Sequence, residues 1–133
     1  VQAYDATIVV DADIGSTVQA YDADTAKTNV DQTFTGAQRG TVTSNTTSLS
    51  FDQDTSNNFT STPSAGTLTF TNHTAGQSGY ILLDNTAAVA ITAAATTKIN
   101  ATDLATINVS GVYLVSYFDN GTNAYLTVSA AYA

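Results

Sequence analysis

The chain has 133 residues and a net charge of −8, with three Lys or Arg, eleven Asp and neither Cys nor Met. The lack of cysteine excludes disulfides, thiolate metal sites and thiol nucleophiles, and three cations cannot neutralise a phosphate backbone, which argues against nucleic acid as a partner. No apolar run approaches the ~18 residues of a membrane-crossing helix, so no membrane partner is expected. With no Met, the sequence reads as a processed chain or a portion of a longer one.

Thr fills 25 positions, Ala 21 and Asn 10, and every acid is Asp. Such a mixture favours strands and turns over helices. Length and patterning together predict one all-β domain over residues 41–133, an antiparallel β-sandwich of jelly-roll type, preceded by an extended N-terminal arm over residues 1–40.

The arm opens on VQAYDA at residues 1–6, repeated letter for letter at 18–23. Val1, Tyr4 and Ile8 stand at helical spacing, yet Ile8, Val9 and Val10 are β-branched and Gly15 breaks any continuation, so an extended path with short turns is expected. Two copies are too few for a solenoid array. The repeat carries one carboxylate and one Tyr with no partner at catalytic spacing, so Tyr4 and Tyr21 are read as equivalent docking side chains. Thr35 and Gln38 then have the spacing of a capping box, with Gly40 placed to end one helical turn.

Beyond residue 41 the apolar residues alternate or form short runs. Strands are expected at 47–51, 59–61, 67–71, 80–83, 89–92, 98–100, 107–109, 112–118 and 124–129. Asn120-Gly121 marks the last hairpin. A two-residue type I′ loop there sets Tyr117 opposite Ala124, Val115 opposite Leu126 and Tyr113 opposite Val128, all on one apolar core face. The other face carries Leu114, Phe118 and Tyr125 among polar residues. That is too apolar for a purely solvated surface, so these three residues are candidates for a subunit interface.

No constellation for catalysis stands out, and neither a cofactor site nor a metal site is expected. The Asp pairs 11/13, 22/24 and 52/54 lack the further ligands and the Glu of an EF-hand loop and read as solvated turn residues. His73 is the only histidine and reads as a surface turn residue rather than a general base. Six Asn-x-Ser/Thr acceptors, at Asn45, Asn58, Asn72, Asn100, Asn108 and Asn120, permit glycosylation; turn chemistry in a Thr-rich β protein is the alternative.

Residues 18–40, VQAYDADTAKTNVDQTFTGAQRG, resemble a segment of tail-fibre-like and other virion appendage proteins of bacteriophages, many of them aquatic. NNFT at 57–60, GTLTFTNHTAGQSGYILL at 66–83 and YFDNGTN at 117–123 resemble the same proteins in the same order. The resemblance implies a β-rich, trimeric, non-enzymatic structural protein of the virion. It would be mounted on capsid or tail proteins through its N-terminal part and touch host-surface glycan at its far end. A different reading of the same residues is a subunit of a secreted, N-glycosylated cell-surface filament, joined by strand exchange through the arm.

Overall fold

The computed structural model describes residues 36–37 and 39–132. The chain divides into two units, Val1–Gln38 and Arg39–Ala133, and the account below concerns the second. VQAYDA, Tyr4, Tyr21, the first two Asp pairs and both ends of the expected capping box, Thr35 and Gln38, lie outside the described residues.

The described chain is mostly β. Its elements are β1 (Val42–Ser44), β2 (Ser50–Asp52), β3 (Asn58–Ser61), β4 (Gly66–Thr71), β5 (Ser78–Asp84), β6 (Ile91–Ala93), β7 (Thr97–Lys98), α1 (Ala101–Ile107), β8 (Val112–Asp119) and β9 (Ala124–Val128). They form a six-stranded sheet in the order β1-β3-β5-β8-β9-β7 and a three-stranded sheet in the order β2-β4-β6.

From β1 to β6 the chain winds back and forth between the two sheets. Odd strands enter the larger sheet, even strands the smaller one, and each strand pairs in parallel with the next but one. Val42 pairs with Asn58 and Asn58 with Tyr80, so each pass is one coil. Among the described residues the antiparallel pairing expected from the sequence is confined to β5–β8, β8–β9 and a single bridge between Val112 and Tyr132. Connections of four to six residues suit a hairpin and a crossing to the opposite layer equally well. Strand spacing therefore does not reveal which sheet the next strand joins.

Alternation along each strand builds the core. On β4, Leu68 and Phe70 are buried while Thr67 and Thr71 face out. On β8, Tyr113, Val115 and Tyr117 point inward. Phe51 on β2 meets Phe59 on β3 at 5.3 Å between ring centres and Phe70 at 5.6 Å, and Phe70 meets Tyr117 at 4.8 Å. These tilted contacts join residues of both sheets into one cluster.

The expected strands at 98–100 and 107–109 are not present. The strand there is β7, which ends at Lys98, and α1 follows. Asn100 caps that helix, its Oδ1 accepting from the Asp103 N–H at 2.8 Å. Ile107 is the helix's buried residue, and Asn108 ends it. The Asn108 side chain then behaves like a neighbouring strand: Oδ1 accepts from Ile91 N–H at 2.7 Å and Nδ2 donates to Ile91 C=O at 2.9 Å. It thereby satisfies backbone groups of β6, at one edge of the smaller sheet.

The last hairpin forms at Asn120-Gly121 with a register different from the expected one. Tyr117 pairs with Leu126, Phe118 with Tyr125, and Asp119 with Ala124 closes a four-residue loop. Side chains hold that longer loop. Asn120 Oδ1 accepts from the N–H groups of Thr122 and Asn123, and Asp119 Oδ1 accepts from Gly121 N–H at 2.7 Å. Gly121 has φ +89°, which suits glycine. The slip is an even number of residues, so the inward face expected from the sequence is the inward face observed.

Candidate functional site

Two regions stand out: the outer face of the six-stranded sheet and a polar network at one end of it. On the outer face, register places Ser78, Phe118, Tyr125 and Lys98 in one cross-strand row. Val42, Asn58, Tyr80, Ser116 and Thr127 form the next row, and Ser44, Thr60, Leu82 and Leu114 the one after. Phe118 is 53% exposed, Tyr80 54%, Tyr125 48% and Leu82 45%.

This face has relief. Phe118 and Tyr125 stand side by side as a ridge. Next to them, Ser116 and Thr127 hydrogen-bond to each other through their hydroxyls at 2.6 Å and stay low. A hollow of about 340 Å³ opens beside Tyr80, lined by Asn58, Ser78 and Ser116 among others. Beyond Leu82 lies a second open cleft of about 400 Å³, lined by Ser44, Thr46, Thr47, Thr60 and Asp84 among others. The strands of this face carry two charges there, Lys98 and Asp84.

Of the residues expected to form an interface, Phe118 and Tyr125 are brought together as a cross-strand pair. Leu114 is half-buried on the same face, opposite Leu82. Tyr80 and Leu82 complete the patch without having been singled out from the sequence. They sit in the run Tyr80-Ile-Leu-Leu83, where both faces of the strand are apolar and alternation gives no parity. Tyr4 and Tyr21 lie outside the described residues.

The polar network centres on Asp119, whose carboxylate is fully buried. Its Oδ2 accepts from His73 Nδ1 at 2.6 Å and from Gln53 Nε2 at 2.8 Å, while Oδ1 takes Gly121 N–H. Burial alone would push this carboxyl up; the hydrogen bonds from His73, Gln53 and Gly121 and the His73 charge outweigh it and hold it below the ordinary carboxylate range. Gln53 also accepts from Thr74 N–H at 3.1 Å, and its carbonyl accepts from Gln77 Nε2 at 2.7 Å. Gln77 Nε2 donates to Asn57 Oδ1 as well, and the Asn57 carbonyl takes the Tyr117 hydroxyl at 3.0 Å. Burial, followed by the charge of Asp119, pushes the Tyr117 phenol up to about 12.

Asp119 and His73 have the carboxylate–imidazole arrangement of a catalytic dyad, but no Ser, Thr or Tyr hydroxyl among the described residues hydrogen-bonds to His73. The carboxylate's bonds all go to groups that hold loops. Asp52, of the remaining Asp pair, accepts from Asp54 N–H and from Asn72 Nδ2 at 2.7 Å, which is turn chemistry. No group of three metal-ligating side chains occurs among the described residues. The Asn side chains of the glycosylation motifs are mostly engaged: Asn45, Asn72 and Asn108 donate through Nδ2, and Asn120 accepts in its loop.

Comparison with known proteins gives no family model, no curated protein and no solved structure that matches this chain.

Proposed function

We propose that this chain is a non-enzymatic structural subunit of a bacteriophage particle, a fibre or capsid-decorating protein that assembles as a trimer. In this reading residues 1–40, with Tyr4 and Tyr21, attach it to capsid or tail proteins, and its far end meets host-surface glycan. The two sheets are the layers of a sandwich wound coil by coil. The observation that supports the reading most is the outer face of the six-stranded sheet, where Tyr80, Leu82, Phe118 and Tyr125 expose a contiguous apolar patch of the kind that marks interaction surfaces. The commitment of Asp119 and His73 to loop contacts supports a structural rather than a catalytic role. Gold-labelled antibody against the chain, applied to purified particles, tests the reading: discrete labelling is expected, and unlabelled particles that also lack its peptides by mass spectrometry overturn it. Deleting residues 1–32 should leave the β domain folded while abolishing attachment.

One observation favours the filament reading. Strand β1 pairs only with β3 among the described residues, which leaves an edge suited to strand addition. Intact mass decides between the two, because hexose on Asn45 or Asn100 belongs to a secreted glycoprotein.

A further inference from the structure

The outer face of the six-stranded sheet carries features of both sides of one contact. We propose that it binds a second copy of this chain, with the Phe118–Tyr125 ridge of one copy seated in the hollow beside Tyr80 of the next. The inference deepens the assembly reading above and rests on it.

Three observations select a second copy as the occupant. The first is shape. Ridge and hollow lie on neighbouring rows, two residues apart along each strand, about 6.6 Å. A hollow of about 340 Å³ lined by Asn58, Ser78, Tyr80 and Ser116 is ample for the phenyl ring of Phe118. Its hydroxyls and amide offer polar partners to the Tyr125 hydroxyl at the other end of the ridge.

Charge is the second. The chain carries −8, of which residues 39–133 carry −3, so its copies repel one another through their net charge. On this face the strands carry one cation, Lys98, and one carboxylate, Asp84, on different strands and in different rows. The face is therefore neutral as a whole, so copies meeting there add no like-charge contact of their own.

The third is size. The six strands hold 29 residues, which at about 3.3 Å per residue and about 4.8 Å between strands present roughly 460 Å² in projection. Standing side chains raise the accessible area above that figure, towards the ~800 Å² per partner of a specific interface. Ridge and hollow sit side by side on one face, which in a ring is shared between the two neighbours of each copy; such a heterologous contact closes where the rotation between copies closes. A trimer is the smallest such ring.

Two variants of the full chain test the contact. Phe118→Ser removes the ridge and keeps the hollow; Ser116→Trp fills the hollow and keeps the ridge. Native mass spectrometry and sedimentation velocity should find the unaltered chain assembled at micromolar concentration. Each variant alone should be monomeric, its association weakened about tenfold or more. Their equimolar mixture should form a two-chain species, since one intact contact remains. Asn58→Arg blocks the hollow without enlarging Ser116, should Ser116→Trp not fold by circular dichroism. The inference fails if the unaltered chain is monomeric, if the variants assemble as it does, or if the mixture stays monomeric. It also fails if the monomeric chain binds a glycan through Phe118. In every such case labelled particles would leave the place on the virion standing, while a monomeric unaltered chain would remove the trimer from that reading.

Discussion

His73 Nδ1 lies 2.6 Å from Oδ2 of Asp119, a carboxylate with no exposed surface, 46 residues further along the chain. The pair ties the connection after β4 to the start of the β8–β9 loop. Gln53 bonds to the same oxygen and brings in the connection after β2. Three loops from separate coils thus converge on one anion, and each contributes a donor that the anion requires.

Replacing Asp119 with Asn should cost about 3 kcal/mol at neutral pH, because a buried charged acceptor is lost and its donors are left poorly paired. The folded carboxyl titrates below its unfolded value, so its contribution is complete above about pH 4 and fades as pH falls through the folded value. Urea denaturation should therefore show a gap between the two proteins at pH 7 that narrows below pH 4.

Tyr117 gives the opposite dependence. Its phenol is held neutral to about 12 against an ordinary value of 10. The resulting stability is present below pH 10 and is lost as pH rises through 12. Tyr117→Phe should remove the titration step near pH 12 from the tyrosinate absorbance. It should cost about 1 kcal/mol at pH 7 through the lost bond to Asn57. Between pH 10 and 12 the original protein should lose stability that the Phe variant keeps.

Gly79 admits no side chain. A Cβ built there falls 1.7 Å from the Asn57 carbonyl oxygen, the same oxygen that receives the Tyr80 N–H and the Tyr117 hydroxyl. Gly79→Ala must move β5 or the approach to β3, and it should cost about 3 kcal/mol or more. Gly76→Ala, where a Cβ meets nothing within 4 Å and only φ +87° is strained, should cost about 1 kcal/mol. Melting temperatures of the two variants provide the check.

Thr97 offers a gain. Its Oγ1 is buried without a hydrogen-bond partner among the described residues. Thr97→Val keeps the shape and removes the desolvated hydroxyl, so it should raise stability by about 1 kcal/mol in chemical denaturation.

Alternation was readable wherever one strand face was apolar and the other polar. The inward set Tyr113, Val115 and Tyr117 and the outward Phe118 and Tyr125 follow from it. Topology was not readable, because the loop after β1 that crosses to another layer resembles one that turns back. The helix was hidden because Asn100 serves as glycosylation motif and helix cap alike, and Ile107 suits a strand as well as a helix face. The hairpin register was missed because the Asp119 side chain captures Gly121 N–H, and Asn-Gly alone does not announce a four-residue loop. The Asp119 network joins residues 20 to 66 positions apart, and a single sequence offers no signal for such a meeting.

The antiparallel ladder between β5 and β8, seven residue pairs long from Ser78–Phe118 to Asp84–Val112, sets the order in which the molecule is completed. During synthesis, β1 to β6 leave the ribosome before β8 does. Strand β5 then lacks its antiparallel neighbour, and the inward faces of the first coils lack Tyr113, Val115 and Tyr117. Closure must wait for residues 112–128. Nascent chains stalled with Val112 still inside the ribosome should be sensitive to protease, and chains carrying a C-terminal linker long enough for Val128 to emerge should be protected in a single step.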